Sequence, residues 1–223
     1  MERKKFSRWS ADDVEQTFFL KQHKMLPSLQ AWLSSAAPIN EQERTTLREL
    51  QEQLQRHVSD WNEEELKIKC IGPILLLAQL QGENYNTFFE RDLSAEIGGI
   101  MVSGTVDLLL AEGRRAPHKT YFSLHEYKKE RHSANDPLGQ VLIALLAAQT
   151  INNDGQTLYG CYVVGRNWFF ITLDDKDYAE SLAYDATQDD IFDIYRIIKS
   201  LKTIVEERLH RESSSSAKGS TNV

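Results

Sequence analysis

Apolar residues recur at near-helical spacing from the start of the chain: Val14, Phe18, Met25, Leu29 and Trp32. Ser10, followed by Asp12 and Asp13, supplies a helix start. Pro27 predicts a break that divides this stretch in two. Small residues and Pro38 make 34–40 a loop. The spacing of Leu47, Leu50, Leu54 and Val58 predicts a polar helix over 41–58 with a narrow apolar stripe. A third helix, capped by Asp60 or Asn62, opens on Glu63, Glu64 and Glu65 and runs to about Leu80. Its apolar face is broad (Leu66, Cys70, Ile71, Ile74, Leu75, Leu77), and Pro73 within it predicts a kink.

At Gln81 the period shortens from helical to alternating. Segments 87–93 and 97–110 are predicted strands separated by 94–96, with Gly98, Gly99 and Gly104 marking a bulge or bend. A turn over 112–118 leads to a third strand, 119–128. An apolar helix over 136–150 follows, with Pro137 in its first turn. Strands at 157–164 and 168–173 flank Gly165-Arg166-Asn167, a hairpin signal. An amphipathic helix is predicted over 188–209, and the Ser-rich end is predicted to be disordered. The expected architecture is an α/β domain with a mixed central sheet flanked by helices, over 59–210. A helical extension over 1–58 precedes it, and a disordered tail over 211–223 follows.

Composition narrows the class. The chain has 223 residues, 41% hydrophobic and 26% charged, as in a globular protein and unlike a disordered one. Its net charge of −7 argues against coating nucleic acid by bulk charge, although a local basic groove stays open. No apolar run approaches the ~18 residues of a membrane span. The basic start gives way to a polar stretch, so no signal-peptide core is expected. Two cysteines, Cys70 and Cys161, are too few for a disulfide framework or a four-thiolate zinc site. The expectation is a reduced, cytoplasmic protein.

The third strand carries the chemistry. Phe122, Leu124, Glu126 and Lys128 share one face by the period of two, so the face runs from core to mouth. On the preceding strand Asp107 interrupts an apolar run. Strict alternation puts Asp107 with Thr105 and Leu109, and Val106, Leu108 and Leu110 on the other face. A charge placed there needs a partner or a metal. A hairpin between the two strands would bring Asp107 near Glu126. Two carboxylates and a lysine at one end of a sheet suit a hard divalent cation such as Mg²⁺, and with it phosphodiester hydrolysis.

Gly104-Thr105-Val106-Asp107, then Glu126-Tyr127-Lys128, each on a strand and with a helix after the second, resemble the PD-(D/E)XK phosphodiesterase superfamily, the restriction-endonuclease-like fold. Val106 stands where the name-giving Pro would be. The resemblance spans roughly 62–173. It implies that Asp107 and Glu126 bind Mg²⁺ (Mn²⁺ as a substitute), with the Tyr127 carbonyl as a further ligand, and that Lys128 serves the attacking water. It implies DNA as substrate, and many nucleases form homodimers to cut both strands. The stretch from Asn62 to Pro73 resembles the first core helix of type I restriction nuclease domains, with the acid at Glu63. Glu63 continues the Leu66 and Cys70 stripe, and Glu64 the Ile68, Ile71 and Leu75 stripe, so both stay accessory candidates. Gln140 matches a Gln that some members carry on the next helix.

Lys128, Lys129, Arg131 and His132 form a basic run beside the site. Arg114, Arg115, His118 and Lys119 form another. Either run lines a phosphate path or is simply a solvated turn. His125 and Tyr127 are expected to project away from the site. A second reading of the whole chain is a catalytically silent interaction module that keeps the nuclease fold; the acidic balance favours it and the intact Asp, Glu and Lys disfavour it.

Overall fold

Three helix starts are closed by the same reciprocal device. The Ser10 hydroxyl accepts from the Asp13 N–H while the Asp13 carboxylate accepts from the Ser10 N–H, opening α1 (Ala11–Phe18). Asn40 with Glu43 does this for α3 (Glu41–His57), and Asn62 with Glu65 for α4 (Glu63–Leu66). Each pair satisfies donors that a helix start otherwise leaves bare. Asn62, not Asp60, is therefore the cap. Pro27 does not break a helix; it opens α2 (Pro27–Leu33), where its missing N–H costs nothing. Past α4 the chain widens into a π turn, Lys67–Ile71, in which the Gly72 N–H reaches back five residues to the Lys67 carbonyl. Pro73 follows at once, near the start of α5 (Gly72–Ala78). The wider turn accommodates a proline that offers no N–H and whose ring crowds the carbonyl four residues back.

The computed structural model describes residues 2–127 and 136–219, with side chains for all of these except 126, 127 and 215–219. Within them β3 (Tyr85–Ile97) and β4 (Ile100–Glu112) form one long hairpin. Its turn is Gly98-Gly99, with φ +58° and +83°, the left-handed pair that a two-residue hairpin needs. The predicted interruption at 94–96 is paired strand instead, Leu93 and Ala95 being buried between outward Ser94 and Glu96. β5 (Thr120–Tyr127) lies antiparallel to β4. α6 (Pro137–Asn152) then crosses over to β6 (Leu158–Val164), which runs parallel to β5. β7 (Asn167–Asp174), β8 (Asp177–Glu180) and β9 (Tyr184–Asp185) complete this side, and α7 (Asp190–Gly219) closes the fold. The sheet is mixed, nine-stranded and flanked by helices.

The first 58 residues are woven into this sheet rather than appended to it. β1 (Glu2–Lys5) pairs parallel with β4, and β2 (Lys21–His23) pairs parallel with β8. The chain's apolar positions feed both core layers. One layer joins Leu29, Trp32, Leu47 and Leu54 to α5, α7 and one face of the sheet. The other joins Phe6, Trp9, Val14 and Phe18 to α6 and the opposite face. α6 is apolar all round because it is covered on both sides, by the sheet and by α1. Gly139 permits this closeness: a Cβ there would stand 2.4 Å from the Ser10 backbone.

Disorder from residue 211 is likewise corrected, since α7 continues to Gly219. Ser213 and Ser214 donate their hydroxyls to carbonyls four residues back, so they are satisfied inside the helix. Cys70 and Cys161 are buried thiols, neither of them in a disulfide among the described residues. Among the described residues no helix is long and apolar enough to cross a membrane.

Candidate functional site

β4 has two neighbours along one edge. β1 pairs with Ile100–Ser103 and β5 with Leu108–Ala111. On that edge Gly104–Asp107 have no strand partner among the described residues. β5 diverges here: beyond the Leu108–Leu124 pair it continues only beside β6, with Glu126 opposite Val163 and Tyr127 opposite Val164. A gap therefore opens between two strands, and Asp107 and Glu126 stand on its two lips.

The same point breaks the alternation of β4. Val102 and Val106 pack in the α6 layer, but so do Leu109 and Ala111, while Leu108 and Leu110 enter the other layer. The phase slips at Asp107. On the neighbouring strand Glu90 takes φ +48°, while the pairs on either side, Phe89 with Leu108 and Arg91 with Val106, hold register. Asp107 therefore does not share a face with Thr105 and Leu109 in the simple alternation expected. Its carboxylate reaches the π turn, where Oδ1 lies 3.0 Å from Lys67 Nζ. Lys67 also stands 3.1 Å from Glu90 Oε1 and 3.9 Å from Glu64 Oε1. One ammonium thus sits among three carboxylates at the mouth of the gap.

Lys67 and Glu90 were not legible as site residues. A signal existed for Lys67, four residues after Glu63 and three after Glu64 on a helix. Glu90 needed the strand register. Of the two accessory acids, Glu64 is exposed yet within reach of Lys67, and Glu63 is half-buried above the Leu66 and Cys70 stripe. The stripe expected for Glu64 is broken by the π turn, which leaves Ile68 71% exposed while Ile71 and Leu75 are buried.

His125 is buried, as a packing residue would be, yet it feels the Asp107 charge. Burial pulls its pKa down to about 4 against the opposing pull of that charge. Gln140 is buried too and lines a cleft of about 450 Å³ with Lys5, Ser7, Asp92 and Thr105. The cleft lies at the β1 end of the gap. The side chains of Glu126 and Tyr127, and all of Lys128, Lys129, Arg131 and His132, lie outside the described residues. The basic turn of Arg114, Arg115 and His118 lies past Glu112, where β4 ends, while Asp107 sits near the middle of that strand. Lys119 there is held by Asp154 and Glu212, at 2.8 and 2.5 Å.

A larger cleft, about 710 Å³, opens between α2, α3 and α7 and is lined by Trp32, Glu43 and Lys199. Two of its charges are committed to each other, with Lys199 Nζ 2.8 and 3.0 Å from the Glu43 oxygens, and Lys202, Glu206 and Glu207 line it as well. Among the described residues no three His, Cys, Asp or Glu side chains are grouped as a metal site. The chain matches no family model and no curated protein sequence.

Proposed function

We propose that the chain is a Mg²⁺-dependent nuclease with a restriction-endonuclease-like core, hydrolysing phosphodiester bonds in DNA. The observation that carries this reading is the gap between β4 and β5, with Asp107 and Glu126 on its lips. The antiparallel β3–β4–β5 meander and the parallel β5–α6–β6 crossover around it agree with the core that the sequence resembles.

The donor set fits a hard cation. Asp107 is an oxygen ligand whose carboxylate already attracts a positive group, the Lys67 ammonium, at 3.0 Å. Asp107, Glu126 and the Tyr127 carbonyl would hold the ion. When bound, it would polarise the phosphoryl oxygen and acidify a water. Lys128 would orient the attacking water and balance charge on the phosphate. Lys67 keeps Asp107 aimed into the mouth, and Glu90 fixes Lys67 in turn.

The Lys67–Asp107 ion pair also favours the second reading, a catalytically silent interaction module, because it gives Asp107 a partner without any metal. Plasmid and single-stranded DNA, incubated with Mg²⁺ or Mn²⁺ and with chelator, separate the two. The nuclease cuts only with metal, and Lys128→Ala abolishes cutting. A well-folded protein that neither cuts nor binds Mn²⁺ is the module.

A further inference from the structure

The sequence begins with a cationic run that the proposed chemistry does not use. β1 sets Arg3, Lys4 and Lys5 against β4, and a single 3₁₀ turn, Phe6–Arg8, follows. Lys4 has a structural role: its ammonium lies 3.3 Å from Asp13 and 3.7 Å from the centre of the Trp9 ring. Arg3, Lys5 and Arg8 differ. All three are exposed, and none makes an ion pair among the described residues. In a chain of net charge −7, three uncompensated cations on one short arm are a local inversion of sign.

The arm borders the gap. Lys5 is the last β1 residue paired to β4, opposite Ser103, and the edge with no strand partner among the described residues starts at Gly104. Lys5 and Ser7 form one wall of the 450 Å³ cleft, the Gly104-Thr105 backbone and Gln140 another. The Phe6 ring fills the space over Gly104, where a Cβ would clash at 2.4 Å. The Asp92 carboxylate on the far side accepts from the Thr105 hydroxyl at 2.7 Å. The exposed Lys5 ammonium on this polar cleft matches a phosphodiester, not a base edge.

We propose that Arg3, Lys5 and Arg8 form a phosphate-contacting arm that lays the backbone of a DNA duplex along β4 into the site. This rests on the nuclease reading. From Thr105 to Asp107 is two residues, ~7 Å of strand. That is about the axial rise of two base pairs, ~3.4 Å each. A phosphate seated in the cleft thus leaves Asp107 within one or two nucleotides along the duplex.

The test measures fluorescence anisotropy of a labelled DNA duplex in chelator, from 50 to 200 mM salt. It compares wild type, the triple variant Arg3→Ala/Lys5→Ala/Arg8→Ala, and Lys24→Ala. Lys24 is an exposed lysine next to β2, at the other end of the strand order. Each lost phosphate contact lowers the slope of log K against log salt by ~0.9, so the triple variant should lose about 2 to 3. Lys24→Ala should match wild type. An unchanged slope in the triple variant, or no duplex binding by wild type, overturns the arm. Metal-dependent plasmid cutting by the same wild type is scored separately. Cutting with an unchanged slope removes the arm alone. A reduced slope without cutting keeps the arm and removes the nuclease.

Discussion

Lys67 and Lys199 both project from helical segments into carboxylate surroundings, yet their settings differ in charge balance and in what lies beside them. Around Lys199 the count closes. Glu43 offers it both oxygens, the Pro38 carbonyl adds a third contact at 2.8 Å, and Glu43 also takes the Asn40 N–H and the Tyr195 hydroxyl. Burial pushes the Glu43 carboxyl up, but these donors outweigh it and hold it below the usual range. Tyr195 is driven above its ordinary value by burial and by the same carboxylate. The result is a staple tying α3 to α7. Around Lys67, among the described residues, three carboxylates lie within 4 Å of one ammonium beside an interrupted sheet. A balanced cluster in continuous structure holds the fold. The Lys67 cluster instead sits at a break in strand pairing, where the proposed site lies.

The sharpest way to break this contrast is Asp107→Asn. Metal-dependent plasmid cleavage should fall ~10³-fold, equivalent to about 4 kcal/mol of lost transition-state stabilisation. An unchanged rate would move the site elsewhere. Glu43→Ala should do the reverse, costing about 1–3 kcal/mol in urea unfolding with cleavage per folded molecule retained. The staple should also show in acid. The folded pKa of Glu43 is lowered, so its contribution is present above its unfolded value of about 4.5 and is lost as pH falls through the lower folded value. Stability measured from pH 6 to 3 should drop less steeply in Glu43→Gln. Lys67→Met addresses the other cluster. Because the ammonium holds Asp107 in place, Mn²⁺ affinity by calorimetry should fall up to ~5-fold, the scale of one part-exposed ion pair. Tighter Mn²⁺ binding would make Lys67 a competitor for Asp107 and overturn its supporting role. The smallest effect is expected at the hairpin turn. Gly99→Ala, at φ +83°, should cost about 1 kcal/mol without touching either cluster.

Much of the architecture was readable because each signal was local. Ser10, Asn40 and Asn62 announce helix starts through side chains that bond within three residues. The strand and helix sequence from β4 to β7 followed from period alone. What escaped depends on distant partners. Glu2–Lys5 and Lys21–His23 are polar in every position, so no alternation marks them; they are strands because β4 and β8 offer open edges. The face of Asp107 was misassigned because strict period two cannot register a slip set by Glu90 on another strand. Lys67 lay in a helix whose phase the π turn shifts, so its aim toward β4 could not be counted from Glu63 or Glu64. Glu126 and Lys128 were named from a short motif, and the structure bears on the first only through its backbone position.

The shared edge of β4 also has a consequence in time. The β3–β4 hairpin closes on a two-residue turn, a contact that forms on the microsecond scale. β1 must find the same strand from the far end of the chain, Glu2 settling against Ile100. Such a closure is entropically expensive and comes after the local pairings. Substitutions in β1 should therefore speed unfolding more than they slow folding. The arm beside the gap would be among the last parts of the protein to lock and among the first to let go.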